Sequence, residues 1–316
     1  MMGWLPPAEA VRVGAGTFVA LQVPRLPQQK ARLVPPDPAA LRALPGVGAY
    51  TAGAVASFAF EQRAELVDTN VARVLARVFA PAFIRAMRRY SAQPILAAEP
   101  ESHQWGIGGD NNAYPGMHED SARVCAACVI AAEAVAAGAA RGALVPSGGA
   151  HHGLANRAWG FAIYNETAVA IQALLDAGME RVAYIDLDVH HGNGTQWIFY
   201  DDPRVLTVSV HETGRHLFPG SGFPVETGGA EAPGSSVNVA LPPFAGDDAY
   251  RSAMGRVVVP VTRSFAPEAI VAQCGVDHHH ADPLSHMLTT MPLYPELWRA
   301  LRELADDVCD GRLVAL

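Results

Sequence analysis

One short run concentrates chemistry-bearing residues: Asp186-Leu-Asp188-Val-His190-His191-Gly-Asn193-Gly194 directly follows the apolar stretch Val182 to Ile185. In an open parallel sheet, sites form beyond the carboxyl ends of strands, which is where Asp188 and His190 fall. Two positions apart in extended chain, a carboxylate and an imidazole point to one side and can share a metal ion. Asp277, just after the apolar run Ile270 to Gln273, offers a third ligand. One histidine and two carboxylates leave tetrahedral Zn²⁺ an open position for water, the arrangement of a hydrolytic centre. A second cluster, His151-His152, sits in the glycine-rich run Pro146-Ser-Gly-Gly-Ala-His-His-Gly153, where backbone can approach a substrate closely. Tandem histidines can divide proton work: one accepts a proton from the attacking water, while the other, kept cationic, steadies charge and protonates the departing amine. Two further clusters read as structural. Cys125-x-x-Cys128 has no second cysteine pair and lies in an alanine-rich helix, so it reads as a small apolar core face. In His278-His279-His280 only the preceding Asp277 has the strand-end position, so the three histidines read mostly as loop.

The elements needed to position these residues are legible. Arg181 to Leu187, Val205 to Val210 and Ala269 to Gln273 are short, nearly continuous apolar runs, as expected of strands buried on both faces; Leu313 to Leu316 begins a fourth. Asn165 to Ala177 and Asp247 to Phe265 read as crossover helices, and Phe83 to Tyr90 and Glu119 to Ala137 as amphipathic and alanine-rich helices around a glycine- and asparagine-rich loop from Gly106 to Gly116. This alternation predicts a three-layer α/β/α domain with a parallel sheet. No internal repeat is present. Before it, residues 1 to 40 are rich in proline and glycine. Helices are then predicted from Pro38 to Leu44, from Ala49 to Phe60 and from Asn70 to Phe79, the first two flanking the turn Pro45-Gly46-Val47-Gly48.

The 316 residues are 50% hydrophobic, enough for a sizeable core. Four scattered cysteines argue against a disulfide framework, the first ten residues lack a basic and apolar leader, and no run approaches a membrane span; the expectation is a soluble cytoplasmic protein. Charge is uneven. Up to about Tyr90 there are 11 Lys+Arg against 5 Asp+Glu, and after it 12 against 26, giving +6 and −14. The acidic remainder is a poor candidate for nucleic-acid binding, whereas the basic start could touch a polyanion.

The motifs Pro-Ser-Gly-Gly-Ala-His-His-Gly, Asp-Leu-Asp-Val-His-His-Gly-Asn-Gly-Thr, Phe218-Pro-Gly-Ser-Gly222 and Gly275-Val-Asp277 resemble those of the bacterial acetoin-utilisation and histone deacetylase family over about residues 82–316. The resemblance implies the arginase/deacetylase α/β/α sandwich and hydrolysis of acetylated lysine or acetylpolyamine-like substrates, releasing acetate. It implies Zn²⁺ on Asp188, His190 and Asp277, with His151 and His152 catalytic and Asp186 and Asn193 as their partners. Gly160, Phe161 and Phe218 would line the acyl-lysine tunnel and Asp110 would hold the substrate backbone. A structural K⁺ near Asp186 and Ser209 is also implied.

The resemblance carries two expected departures. Relatives continue beyond a strand like Gly311 to Leu316 into a tyrosine that stabilises the oxyanion, and loss of such a donor costs roughly 10²- to 10³-fold in turnover. Their opening strand has no expected counterpart, which would leave a sheet edge exposed. Residues 1–81 instead read as a separate segment. Within it, Leu44-Pro-Gly-Val-Gly-Ala-Tyr-Thr-Ala52 and Val67-Asp68-Thr-Asn-Val71 resemble the helix-hairpin-helix and aspartate segment of adenine-specific mismatch DNA glycosylases. That likeness implies a weak phosphate contact of DNA through the turn at Gly46 and Gly48, and matches Asp68 to the glycosylase aspartate. Two joined ancestries, meeting near Val78 to Ala82, are the expectation. The alternative to an active deacetylase is then a zinc-binding relic or a chimaeric chain with weak DNA binding.

Overall fold

A computed structural model describes Val11–Val13, Gly16–Ala20 and residues 69–316. The glycosylase-like turn, with Gly46, Gly48 and Asp68, and the helices read from Pro38 to Phe60 lie outside the described residues. Eight strands form one sheet: β1 Val11–Val13, β2 Gly16–Ala20, β3 Gly142–Leu144, β4 Val182–Asp186, β5 Val205–Glu212, β6 Ser236–Leu241, β7 Ala269–Gln273 and β8 Leu313–Ala315. Their order is β1-β2-β3-β8-β7-β4-β5-β6, parallel throughout except for the antiparallel β1–β2 pair. The expected lack of an opening strand is corrected here: β2 pairs with β3, Phe18 opposite Gly142, and covers the edge that β3 would otherwise present.

Strand periodicity builds the layers. Along β4, Val182 and Tyr184 enter one apolar cluster while Ala183 and Ile185 enter the other, and Val271 and Ile270 divide in the same way on β7. Burial on both faces explains why β4, β5 and β7 are almost uninterrupted apolar runs. One face is covered by α1 Thr69–Val78, α2 Pro81–Ala92, α3 Met117–Ala136 and α4 Glu166–Asp176. The other is covered by α6 Asp247–Ala253, α7 Val259–Phe265 and α8 Leu293–Cys309, whose Leu297, Leu301 and Leu304 form the inward stripe. The short α5 Asn193–Ile198 follows β4.

Three features differ from the sequence expectation. The crossover helix expected over Asp247 to Phe265 contains a π-helical stretch, Met254–Val258, just before Pro260. Proline lacks the N–H that a regular ladder needs and crowds the carbonyl four residues back, so local hydrogen bonding reorganises there. Helix α1, placed by its sequence in the preceding segment, buries Val71, Val74, Leu75 and Val78 in the first core cluster, and Arg73 and Arg77 reach Asp176 at the end of α4. Finally, His278 is more than loop: it is fully buried and stacked between Tyr250 and Tyr294, at 4.3 and 4.8 Å between ring centres.

The chain runs outward from β4 through β5 and β6, then returns to lay β7 and β8 on the other side of β4. The carboxyl ends of β4 and β7 therefore flank a topological switch point, where a crevice forms.

Candidate active site

Asp188 and His190 follow β4, and Asp277 follows β7. Ligand atoms of these three residues all lie within 4.8 Å of one another, the one group of three or more His, Cys, Asp or Glu donors so placed among the described residues. Each is held from outside. Gln273 Nε2 donates to Asp188 Oδ2 at 2.9 Å, the Val189 N–H donates to Asp277 Oδ1 at 2.9 Å, and the His190 N–H donates to Asp188 Oδ1 at 2.8 Å. His190 Nδ1 faces both carboxylates, 3.1 Å from Asp188 Oδ1 and 2.8 Å from Asp277 Oδ2. A side chain at Gly275 would place its Cβ 2.3 Å from Asp188 Oδ2, so only glycine leaves this ligand in place.

Electrostatics show what such a group needs. Burial alone would discharge His190, but hydrogen bonds from it to Asp188 and Asp277 raise its pKa to about 10. Burial and the neighbouring Asp188 raise Asp277, whereas at Asp188 the charges of His151 and His190 outweigh burial and lower it. Two carboxylates closing on one imidazole thus carry an excess of buried negative charge that draws in a cation. The donors fit Zn²⁺: two hard oxygens and an imidazole, three ligands with room for a fourth.

The tandem histidines stand beside this group. His151 Nδ1 donates to Asp186 Oδ2 at 2.8 Å, and His152 Nδ1 donates to Asn193 Oδ1 at 2.7 Å. Their Nε2 atoms face each other at 3.1 Å, and His151 Nε2 lies 3.9 Å from Asp188 Oδ1. Burial disfavours charge on His151, yet Asp186 and Asp188 outweigh it and raise the pKa to about 9. Burial and the His151 charge lower His152 to about 2. The pair therefore holds one proton between its two Nε2 atoms, with His151 cationic and His152 neutral. Asp186 is itself fixed by the Tyr184 hydroxyl at 2.6 Å and the Asp188 N–H at 3.1 Å.

Phe218 closes one side, its ring centre 5.0 Å from that of His152 and 6.3 Å from those of His190 and Trp159. Gly160, at φ 52°, lies so close that a Cβ would stand 2.7 Å from His152 Cδ2 and 2.9 Å from Phe218 Cε1. Phe161, also in the left-handed region at φ 63°, is 77% exposed and makes no ring contact with Phe218. Asp110 is exposed on the turn bridged by Gly108 and Asn111, and the Ala158 N–H bond to the Trp105 carbonyl ties that loop to the one carrying Gly160.

Residues 58–316 match the family described as the histone deacetylase domain. The chain belongs to this histone deacetylase family. It is 41% identical over 234 residues to the acetoin utilization protein AcuC of Bacillus subtilis (strain 168), covering 74% of this chain and 60% of that protein. To AcuC of Staphylococcus xylosus it is 37% identical over 241 residues, 76% of this chain and 62% of the relative. The chain thus spans about three fifths of the length of these relatives. Among solved structures, the HDA15 HD domain superposes with a TM-score of 0.67 at 27% identity, covering 77% of this chain and 68% of that one. The histone deacetylase match starts at residue 58, so it runs across the junction expected near Val78 to Ala82, as does the packing of α1.

Within this histone deacetylase domain, the geometry brings together Asp188, His190, Asp277, His151, His152, Asp186, Asn193, Gly160 and Phe218, and leaves Phe161 and Asp110 exposed. Ser209, paired with Asp186 across β4 and β5, uses its hydroxyl on His211 Nδ1 at 2.7 Å. Sequence reasoning overlooked Gln273 as the group that orients Asp188, Tyr184 as the group that orients Asp186, and Trp159 behind Phe218. The signal for Gln273 was present: an amide ends a strand whose other residues are all apolar. The resemblance of Leu44 to Ala52 and Val67 to Val71 to DNA glycosylases is not shown by these matches.

Proposed function

We propose that this domain hydrolyses acetylated amines, acetyl-lysine in proteins or acetylpolyamine-like molecules, releasing acetate. The observation that carries this reading is the juxtaposition of the Asp188, His190 and Asp277 donors, within 4.8 Å of one another, with a histidine pair whose outer nitrogens are both anchored. Asp188, His190 and Asp277 would hold Zn²⁺, which when bound polarises an acyl carbonyl and acidifies water.

The chain's own residues supply the rest. Asp186 and Asn193 fix both imidazoles through their Nδ1 atoms, so that proton traffic is confined to the two facing Nε2 atoms. His152 Nε2, unprotonated, accepts a proton from the attacking water, and His151 Nε2 returns one to the departing amine, leaving the pair with its single proton. Phe218 and Gly160, both against His152, would flank the alkyl chain of such a substrate. The exposed Phe161 and Asp110 would meet the substrate backbone outside it. A structural K⁺ at the Asp186 and Ser209 end of the β4–β5 pair belongs to this reading through the family likeness. The test is release of acetate from an acetyl-lysine peptide: Asp277→Ala should lose both bound zinc and hydrolysis, and unchanged hydrolysis in that variant would refute the assignment.

A further inference from the structure

The proposed chemistry gives no task to the buried carboxyl of Glu166. Glu166 opens α4 behind the histidine loop, is 8% exposed, and forms no ion pair among the described residues. Its Oε2 accepts the Ala150 N–H at 2.9 Å, the Gly149 N–H faces the same carboxylate, and its own N–H donates to the Ala150 carbonyl at 3.0 Å. The preceding Asn165, the N-cap of α4, donates from Nδ2 to the carbonyls of His151 at 3.0 Å and Gly153 at 2.9 Å. Main chain from 149 to 153 is therefore gripped at both ends by two adjacent residues of one helix terminus. A carboxylate that trades water for peptide N–H groups alone, with no cation, is an expensive choice unless those N–H groups must be held.

We propose that Glu166 is a positioning residue for the His151–His152 pair, its carboxylate holding the backbone of Gly149 and Ala150 and thereby setting where both imidazoles stand relative to Asp188. The catalytic consequence of this role rests on the hydrolase reading; the structural hold does not. Protonation would remove the carboxylate's charge and weaken its hold on these N–H groups. Burial raises the Glu166 pKa to about 7, against the lowering effect of the Ala150 and Gly149 N–H groups, so this weakening falls within the neutral range. The titratable groups that face it are the Cys125 and Cys128 thiols of α3, both kept protonated by burial and by Glu166 itself. The hold strengthens as pH rises through the neutral range and weakens as pH falls through it.

Glu166→Gln, which keeps the shape and removes the charge, is the informative variant. With the zinc-loaded full chain and an acetyl-lysine peptide, kcat should fall roughly 10- to 100-fold while KM and zinc content stay unchanged, as misplacement of reacting groups predicts. The acid limb of kcat near pH 7 should disappear in the variant. Amide hydrogen exchange should accelerate at Gly149 and Ala150, and in wild-type protein it should accelerate as pH falls below 7 beyond the intrinsic trend. Glu166→Gln with wild-type kcat, pH profile and exchange protection would overturn the proposal. If the wild-type chain binds zinc without hydrolysing the peptide, the hydrolase reading fails separately, and exchange at Gly149 and Ala150 in Glu166→Gln still decides the positioning role: retained protection overturns it, lost protection supports it.

Discussion

At the scale of single residues, the site is a set of ligands and proton carriers held by groups that never touch the chemistry. Gln273 illustrates this. Its Oε1 accepts the Gly275 N–H, which fixes the amide so that Nε2 faces Asp188 Oδ2, with the Gly149 carbonyl at 3.3 Å. Gln273→Ala should leave Asp188 free to turn and lower zinc affinity roughly 10- to 100-fold, the usual cost of losing a ligand's hydrogen-bonding partner, measurable by competition with a chelator. Unchanged affinity would show that Asp188 is fixed by the His190 N–H alone. Asp188, His190, Asp277 and the histidine pair were legible because their types and their places after apolar runs carry the signal. Gln273 was legible only as an amide ending an apolar strand, and Glu166 not at all in its role, because each acts on a group distant in sequence: Gln273 on Asp188 and Glu166 on Ala150.

At the scale of elements, β4 and β7 aim the ligands, and their rigidity comes from burial on both faces. Ile270, fully buried on β7, contacts the second core cluster. Ile270→Ala should cost about 2–5 kcal/mol of stability through lost burial and the cavity left behind, read from the urea unfolding midpoint. A loss within experimental error would mean that β7 is less closely packed than its burial implies. The continuous apolar runs of β4, β5 and β7 made these strands readable. The three-residue β3, which begins at Gly142, is too short to carry a periodic pattern, and β6 alternates half-buried residues at the sheet edge. The π-helical break before Pro260 was visible as a proline inside a helical run, yet the run still reads as helix because hydrophobic spacing continues through it.

At the scale of the molecule, two helical layers enclose a sheet whose interior contains titratable groups kept neutral by burial. No helix among the described residues is long and apolar enough to cross a membrane. His211, fully buried on β5, accepts the Ser209 hydroxyl at Nδ1 and donates from Nε2 to the Gly222 carbonyl at 2.9 Å, which anchors the loop carrying Phe218. Burial first, then the charge on His191, lower its pKa from 6.5 to about 4. In the unfolded chain this imidazole takes up a proton as pH falls below about 6.5, whereas in the folded protein it resists until about 4. Its contribution is therefore complete above pH 6.5 and is lost progressively between about 6.5 and 4, at roughly 1.4 kcal/mol per pH unit. Urea unfolding across this window should show a shallower decline in His211→Gln than in wild type, and identical slopes would exclude His211 as a source. The α/β/α layering was readable from alternating strands and helices. The division of the core into two clusters depended on knowing which strand neighbours which, and the order β8-β7-β4-β5 arises only from long-range pairing.

The measurement that bears most directly on the proposed function is zinc content together with acetate release from an acetyl-lysine peptide, made on one preparation of the purified chain. About one zinc per chain, held by the Asp188, His190 and Asp277 group, with turnover that disappears on chelation and returns with added zinc, is the predicted result. A chain that folds but binds no zinc, or that binds it and releases no acetate, would contradict the account.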